Sequence, residues 1–477
     1  MGNIKKNFIY NAIYQILVLI LPFITVPYVS RVLGADGIGT YSFTYSIVYY
    51  FMLVALLGIN NHGNRAIAKA REDKKKLSET FSSIYAIQLV ASISMTLLYV
   101  LYLLIFSPDF IDIAWIQIIY IFSAMFDINW FFFGKEEFKL TIMRSIIIKL
   151  LSIVAIFLFV KTPNDTWIYT MILALGTLIS QLVLWPSLLK RIKPCFPKKE
   201  DIFKHVKPCL IMFVPVIAVS LYKVMDKIML GAMTDVSEVG YYEQAEKITM
   251  MPLGLVTALG TVMMPRMSNL AAKGHEEKMK EYIEKSINFM MFLAFPICLG
   301  LIAIASKFIP LFLGDGFDAS IILMQLLSVA IIFIAFANTF RTGYLIPKEK
   351  DGIFVGFTLT GAIVNLIVNF ALIPSMKSVG ACMGTIIAEF VVMTYQMIAL
   401  KNDLPVCKYI KNVIPFLLKA LIMFVMVYII SFLPLNSVVI VLLQIAVGAT
   451  LYFVLNFSYI RHLVGPIISN KLKKENA

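Results

Sequence analysis

Read for runs of apolar residues broken by charge, Gly or Pro, the chain divides into fourteen unbroken apolar stretches. They run from Asn7 to Leu33, Ile38 to Ile59, Thr80 to Phe106, Ile113 to Phe133, Ile142 to Val160, Trp167 to Leu189 and Pro208 to Met233. The others run from Val239 to Met264, Ser286 to Ala305, Ile321 to Leu345, Ile353 to Ile373, Ala381 to Leu400, Val413 to Leu433 and Val438 to Ser458. Each is close to the roughly 20 residues that an α-helix needs to cross a bilayer. A membrane β-barrel would instead show segments of about ten alternating residues. The pattern predicts an all-α polytopic membrane protein of about fourteen transmembrane helices, with connections too short for a sizeable extramembrane domain. The first stretch follows Lys5 and Lys6 as a secretory signal would. It is too long and lacks a small-residue cleavage site, so it is expected to remain as a membrane helix.

Composition agrees with this class: 60% hydrophobic and only 15% charged residues exclude both a soluble globule of this length and a disordered chain. The net charge of +14 would suggest nucleic acid if it were spread over the surface, but it sorts by side. With the N-terminus inside, inner loops and ends carry 31 of the 42 Lys and Arg, the outer loops carry three (Lys161, Lys307, Lys377), and eight lie within the spans. The positive-inside rule then places both termini in the cytoplasm and accounts for the basic runs without nucleic acid. The five cysteines and four histidines show no metal or redox spacing, and no phosphate-gripping Gly-rich loop is present. Asp315 and Asp318 in "LGDGFD" are read as turn residues rather than a catalytic pair. The expectation is a transporter, with no enzymatic activity, no metal site and no resident cofactor.

An internal repeat supports that expectation. "SRVLGADGIGTYSF" joins the first two stretches and "DKIMLGAMTDVSEVGYYEQ" joins the seventh and eighth. Gly39 precedes Arg65 by 26 residues and Gly240 precedes Arg266 by the same 26. "GKEEFK" after the fourth stretch recurs as "PKEKDG" after the tenth. This order predicts two six-helix lobes, residues 1–194 and 195–404, followed by residues 405–477 with two further helices and a basic cytoplasmic tail. Parallel repeats of this kind occur in transporters that rock two halves about one central site.

The segments "YVSRVLGADGIGTYSF", "DKIMLG…VGYYEQAEKI", "MMPRMS" and "NLIVNFALIP…VGACMGTIIAE" resemble the polysaccharide flippases, often called Wzx, of the multidrug/oligosaccharidyl-lipid/polysaccharide exporter superfamily. The resemblance spans the first twelve helices in order. It implies movement of an undecaprenyl-diphosphate-linked oligosaccharide across the bacterial cytoplasmic membrane, supplying capsule or O-antigen-like polysaccharide. Implied partners are that lipid-linked oligosaccharide, membrane lipids and polysaccharide polymerase machinery. A cation-coupled multidrug exporter and a cell-wall lipid precursor flippase of the same superfamily are the alternatives.

Charges inside a bilayer are costly and face a bundle interior or a wet cavity, so they are the first functional candidates. Lys223, Asp226 and Lys227 share one helix face, and Glu243 and Lys247 form a second pair four residues apart. One reading makes these self-neutralising ion pairs. The other makes Lys223 and Lys227, supported by Arg31 and Lys247, a site for the diphosphate of the carrier, with Asp226 or Glu389 coupling transport to a proton or sodium ion. Arg31, Arg144, Arg341 and Lys419 are near enough to helix ends to snorkel. Asn365 and Asn369, with Thr358, form a polar stripe suited to sugar hydroxyls, though such amides also join membrane helices to one another. Tyr41, Tyr45 and Tyr49 form an aromatic stripe read mainly as packing. Pro22 and Pro27 in the first helix, and Pro215 in the seventh, are expected to kink or gate.

Overall fold

The computed structural model describes residues 2–106 and 109–462, apart from the side chains of residues 2–19, 222, 223, 255, 258, 259, 261 and 262. The described chain is helical and contains no strand. The first part is built from α1 (Gly2–Leu56), α2 (Ile59–Ala70), α3 (Lys74–Phe106), α4 (Ile111–Met125), α5 (Asn129–Gly134) and α6 (Phe138–Phe159). Then come α7 (Thr166–Leu182), α8 (Trp185–Leu189), α9 (Lys199–Met233), α10 (Val236–Ala272) and α11 (Glu276–Leu313). α12 (Ala319–Phe340), a π-helical turn (Arg341–Leu345), α13 (Asp351–Leu400), α14 (Val406–Ile430) and α15 (Ser437–Leu455) complete it.

Among the described residues, eleven helical segments are long and apolar enough to cross a membrane. Two of them hold a pair of predicted spans each, because α1 leaves helical geometry at Gly34 and α13 does so at Lys377. With α10, which carries the eighth stretch, each of the fourteen apolar stretches is mainly helical. The protein is an all-α, multi-pass membrane protein. Hydrocarbon leaves no other choice for an open chain, since every backbone N–H and C=O must be paired within its own segment.

α1 runs through Pro22 and Pro27, and α9 runs through Pro215, without leaving helical geometry. Full breaks in helical geometry fall at Gly34 (φ 68°, ψ −177°) and Lys377 (φ 50°, ψ −130°). A positive φ reverses the chain direction, whereas proline only removes one donor and tilts the turn above it.

The chain forms two compact units, one ending at Glu243 and the other beginning at Gln244. These units are not the sequence repeats, because α9, which opens the second repeat, packs on α1, α2 and α3 in the first unit. The repeat is nonetheless written into the backbone. Glu136 and Glu349 both take positive φ, 61° and 53°. Around the first, the amides of Lys135, Glu136 and Glu137 donate to the carbonyls of Phe131, Phe133 and Phe132. Around the second, those of Lys348, Glu349 and Lys350 donate to Tyr344, Ile346 and Leu345 in the same order. "GKEEFK" and "PKEKDG" thus end their helices with one shared hydrogen-bond pattern.

In the first unit the fourth stretch is discontinuous: α4 stops at Met125 and α5 starts at Asn129. Unwinding exposes carbonyls, and Gln88 meets them. Its Nε2 donates to the carbonyls of Ala124 (2.7 Å) and Asp127 (2.8 Å). Its Oε1 accepts from the Trp130 indole at 3.0 Å. Trp130 is fully buried against Phe81, and Gly63 of α2 lies directly under the indole, where a Cβ would come within 2.6 Å of the ring.

Gln88→Leu keeps the volume and removes all three bonds. Each buried group left unpaired costs about 1–3 kcal/mol, so a marked fall in the thermal unfolding midpoint, read by tryptophan fluorescence in detergent, is expected. An unchanged midpoint would show that the break is held by something else.

Candidate functional site

The junctions that sequence comparison paired as repeats meet each other in the first unit. The start of the α1 segment after Gly34 lies against the start of α10. A Cβ built on Gly39 would sit 1.7 Å from the carbonyl oxygen of Val236 and 3.0 Å from the amide nitrogen of Gly240. A Cβ on Gly240 would sit 2.0 Å from the carbonyl oxygen of Ala35. Exchanging the two repeats turns each contact into the other. Ser237 donates its hydroxyl to the Asp36 carboxylate beside them, and these two residues also occupy equivalent positions, each three before its glycine. Gly231 is packed as tightly, since its Cβ would overlap the ring of Phe43 at 2.2 Å.

Below this contact the membrane-embedded charges are gathered and neutralised. Lys227 of α9 reaches Glu243 of α10, Nζ to Oε2 at 2.5 Å, with the two side chains only 16% and 10% exposed. Asp226 is buried and accepts the Tyr242 hydroxyl at 2.9 Å. Tyr50 donates to the Ser220 carbonyl at 3.2 Å, fastening α1 to α9 further along. Neighbouring residues of α9 therefore engage neighbouring residues of α10, an arrangement of opposite charges that helical spacing within one helix could not reveal.

The other predicted residues fall in different places. The side chain of Lys223 lies outside the described residues. Arg31 is exposed, three residues before the break at Gly34. Lys247 and Glu389 belong to the second unit, with Lys247 half-buried and Glu389 8% exposed. Glu389 is near enough to Arg341 to act on it electrostatically, and Arg341 donates to Asn338 at 2.6 Å. Asn365 and Asn369 are buried rather than set on a cavity wall. The Nδ2 of Asn369 donates to Asn365 Oδ1 at 3.2 Å, and a Cβ on Gly384 would overlap Asn369. The two halves of α13 close on these amides, which is the use that small residues and buried amides have in membrane helix packing.

Arg144 and Lys419 do not snorkel. Arg144 is 8% exposed and turns inward to the discontinuity between α4 and α5. It donates to Ser180 O (2.5 Å), Gln181 Oε1 (3.1 Å) and Asn129 Oδ1 (3.0 Å), while Asp127 accepts from both nitrogens of Asn129. Lys419 reaches Asn456 at 3.2 Å. The pull is the demand of unwound or terminal backbone for partners, stronger here than the route to water. Polar "DIN" within an apolar run was the available sign of this network. The tyrosine stripe is packing: Tyr41 bonds Tyr120 at 2.9 Å, and Tyr45 lies edge-on to Tyr120 at 5.0 Å.

The second unit carries an apolar groove of about 360 Å³ lined by α11, α14 and α15, including Phe292, Pro296, Gly300, Met423 and Tyr452. Among the described residues, no group of three or more His, Cys, Asp or Glu is placed to hold a metal ion.

Removing one partner of a buried ion pair costs about 3–5 kcal/mol, whereas replacing both with apolar groups is close to neutral. Glu243→Ala is therefore expected to destabilise the protein by an amount of that order, and Lys227→Met with Glu243→Leu to restore the unfolding midpoint. If the double variant is no more stable than Glu243→Ala, the pair does not carry the α9–α10 contact.

Comparison with known proteins agrees with this architecture. The polysaccharide biosynthesis protein family matches residues 4–271, and the MatE family matches residues 212–371. A chain named "Putative O-antigen transporter" from Escherichia coli strain K12 is 23% identical over 406 residues, covering 84% of this chain and 97% of that one. A chain named "Probable low-salt glycan biosynthesis flippase Agl15" from Haloferax volcanii is 26% identical over 194 residues, 40% of each chain. Among solved structures, the lipid II flippase MurJ in an inward closed conformation superposes with a TM-score of 0.78 at 15% identity, over 96% of this chain and all of that one. An inward-facing multidrug resistance MATE family transporter gives a TM-score of 0.55 at 15% identity, over 81% and 98%. With more than half of its residues matched by one family, the chain belongs to the polysaccharide biosynthesis proteins.

Proposed function

We propose that the chain carries a lipid-linked oligosaccharide across the bacterial cytoplasmic membrane by alternating access, without covalent chemistry on its cargo. The observation that carries this reading is the match to an O-antigen transporter over 84% of this chain and 97% of that relative. The site's chemistry supports it. Lys227 holds a cation in the membrane at the cost of a buried pair with Glu243, and a lipid diphosphate is an anion able to take Glu243's place. Lysine suits a headgroup that must leave again, because an ammonium binds phosphate as a point charge without a fixed fork. Asp226, bonded to Tyr242, is placed to respond when Lys227 lets go of Glu243. Arg31, Lys223 and Lys247 are the supporting cations of this reading, and Glu389 the second carboxylate for a coupling proton or sodium ion.

The carrier lipid is undecaprenyl diphosphate in this account, and its chain has a fitting apolar groove at α11, α14 and α15. The delivered oligosaccharide supplies a polymerase that builds capsule or O-antigen-like polysaccharide. Both termini and the segment after α8 face the cytoplasm, in keeping with the Lys and Arg asymmetry. Cys195 and Cys407 are exposed, so a membrane-impermeant thiol reagent applied to intact cells leaves them unmodified while labelling an Asp315→Cys variant.

Deletion of the gene, followed by analysis of lipid-linked sugars in each leaflet, tests the function. One oligosaccharide lipid should accumulate facing the cytoplasm and clear when the gene is restored. Unchanged oligosaccharide lipids with raised drug sensitivity would assign an exporter, and accumulation of the cell-wall precursor would assign that lipid as cargo.

A further inference from the structure

At the basic end of the first unit lies a recess of about 510 Å³, away from Lys227 and Glu243. Its walls are the first turns of α3, with Lys74, Lys75, Ser78 and Glu79, and the segment leaving α8, with Lys190, Arg191 and Lys193. The walls are fixed before anything binds. Leu188 and Ile192 are buried with Leu77 and Phe81 in one apolar cluster. The Lys193 amide donates to Ser78 Oγ at 3.3 Å and the Cys195 amide to Ser82 Oγ at 3.1 Å.

Nearby cations are already matched. Arg191 is held by Glu137 at 2.6 Å and Arg71 by Glu136 at 2.8 Å. Lys74, Lys75, Lys190 and Lys193 make no ion pair among the described residues, and Glu79 is the one carboxylate in the wall. Four ammonium groups gathered around a formed recess repel one another until an anion enters. Exposed apolar side chains accompany the lysines: Leu189 in the wall is 55% exposed, and Phe196, next in the chain after the lining Cys195, is wholly exposed. Cations beside exposed apolar side chains match the boundary of a leaflet, where phosphate lies just above acyl chain.

We propose that this recess binds the phosphate headgroup of an anionic phospholipid of the cytoplasmic leaflet. The assignment rests on the cytoplasmic placement of the basic end given above, but not on the identity of the transported cargo. The recess is larger than a bare phosphate, which leaves room for a glycerol headgroup. The four lysines supply the charge, and Leu189 and Phe196 meet the first part of the acyl chains. A lipid seated there would add its headgroup to the apolar cluster and the Ser78 and Ser82 hydrogen bonds that already hold α3 to the α8–α9 connection.

The test uses the full chain in detergent, titrated with phosphatidylglycerol and read by native mass spectrometry. Replacing Lys74, Lys75, Lys190 and Lys193 with Ala should weaken binding about tenfold or more and leave phosphatidylcholine binding unchanged. Replacing Lys198, Lys199, Lys273 and Lys278 with Ala should have little effect. Equal loss in the second variant would make the attraction diffuse and overturn the site. If inorganic phosphate displaces the lipid, and Leu189→Ser with Phe196→Ser binds phosphatidylglycerol as well as wild type, the ligand is a soluble phosphate and the lipid assignment falls. Because binding is read without transport, either result leaves the flippase reading to its own experiment.

Discussion

Two helix starts approach until their backbones touch, and only hydrogen fits where Gly39 meets Val236 and Gly240 meets Ala35. The rest of the first unit follows from that closeness. Tyr242 and Glu243, the next residues of α10 after that contact, meet Asp226 and Lys227 of α9. A bulkier residue at either glycine would hold the start of α10 away from α1. Interiors packed to this density do not deform smoothly but pass between discrete arrangements. A contact of backbone on backbone is well suited to be fully made in one state and fully broken in the other.

The buried pair carries the energetic side of the same argument. Its net contribution to stability is small, because removing two charges from water offsets most of their attraction. Its contribution to switching is larger, because neither partner can be left alone in the membrane. An entering anion that replaces Glu243 relieves Lys227 and returns a carboxylate that must find a proton, a cation or water. In the proposed function, charge conservation at this site links arrival of cargo to rearrangement of α9 against α10.

How far the sequence revealed this differs by level. Helix number and class were legible because hydrocarbon permits so few backbone solutions, and the repeat was legible because "GKEEFK" and "PKEKDG" must each terminate a helix in the same way. Gly39 and Gly240 could be matched to one another, but no pattern states that equivalent residues touch. The breaks at Gly34 and Lys377 were hidden, since a proline is visible in sequence and a positive φ is not. Asn365 and Asn369 were hidden for a related reason: the amide stripe is the same whether it faces sugar or Gly384. Arg144 was misplaced because depth alone suggested an escape to headgroups, while the unwound backbone after α4 offered closer acceptors.

The alternating access proposed here predicts that the Gly39–Gly240 contact opens during each transport cycle. Asp36 and Ser237 flank it with their side chains already in hydrogen-bond contact, so cysteines at these two positions, in a chain whose five native cysteines are replaced, can be joined by an oxidant. Transport of lipid-linked oligosaccharide into the outer leaflet of proteoliposomes, measured before oxidation, after it and after reduction, is the direct test. The account predicts loss of transport on cross-linking and recovery on reduction. Transport that continues at the same rate with the pair fully cross-linked would contradict it.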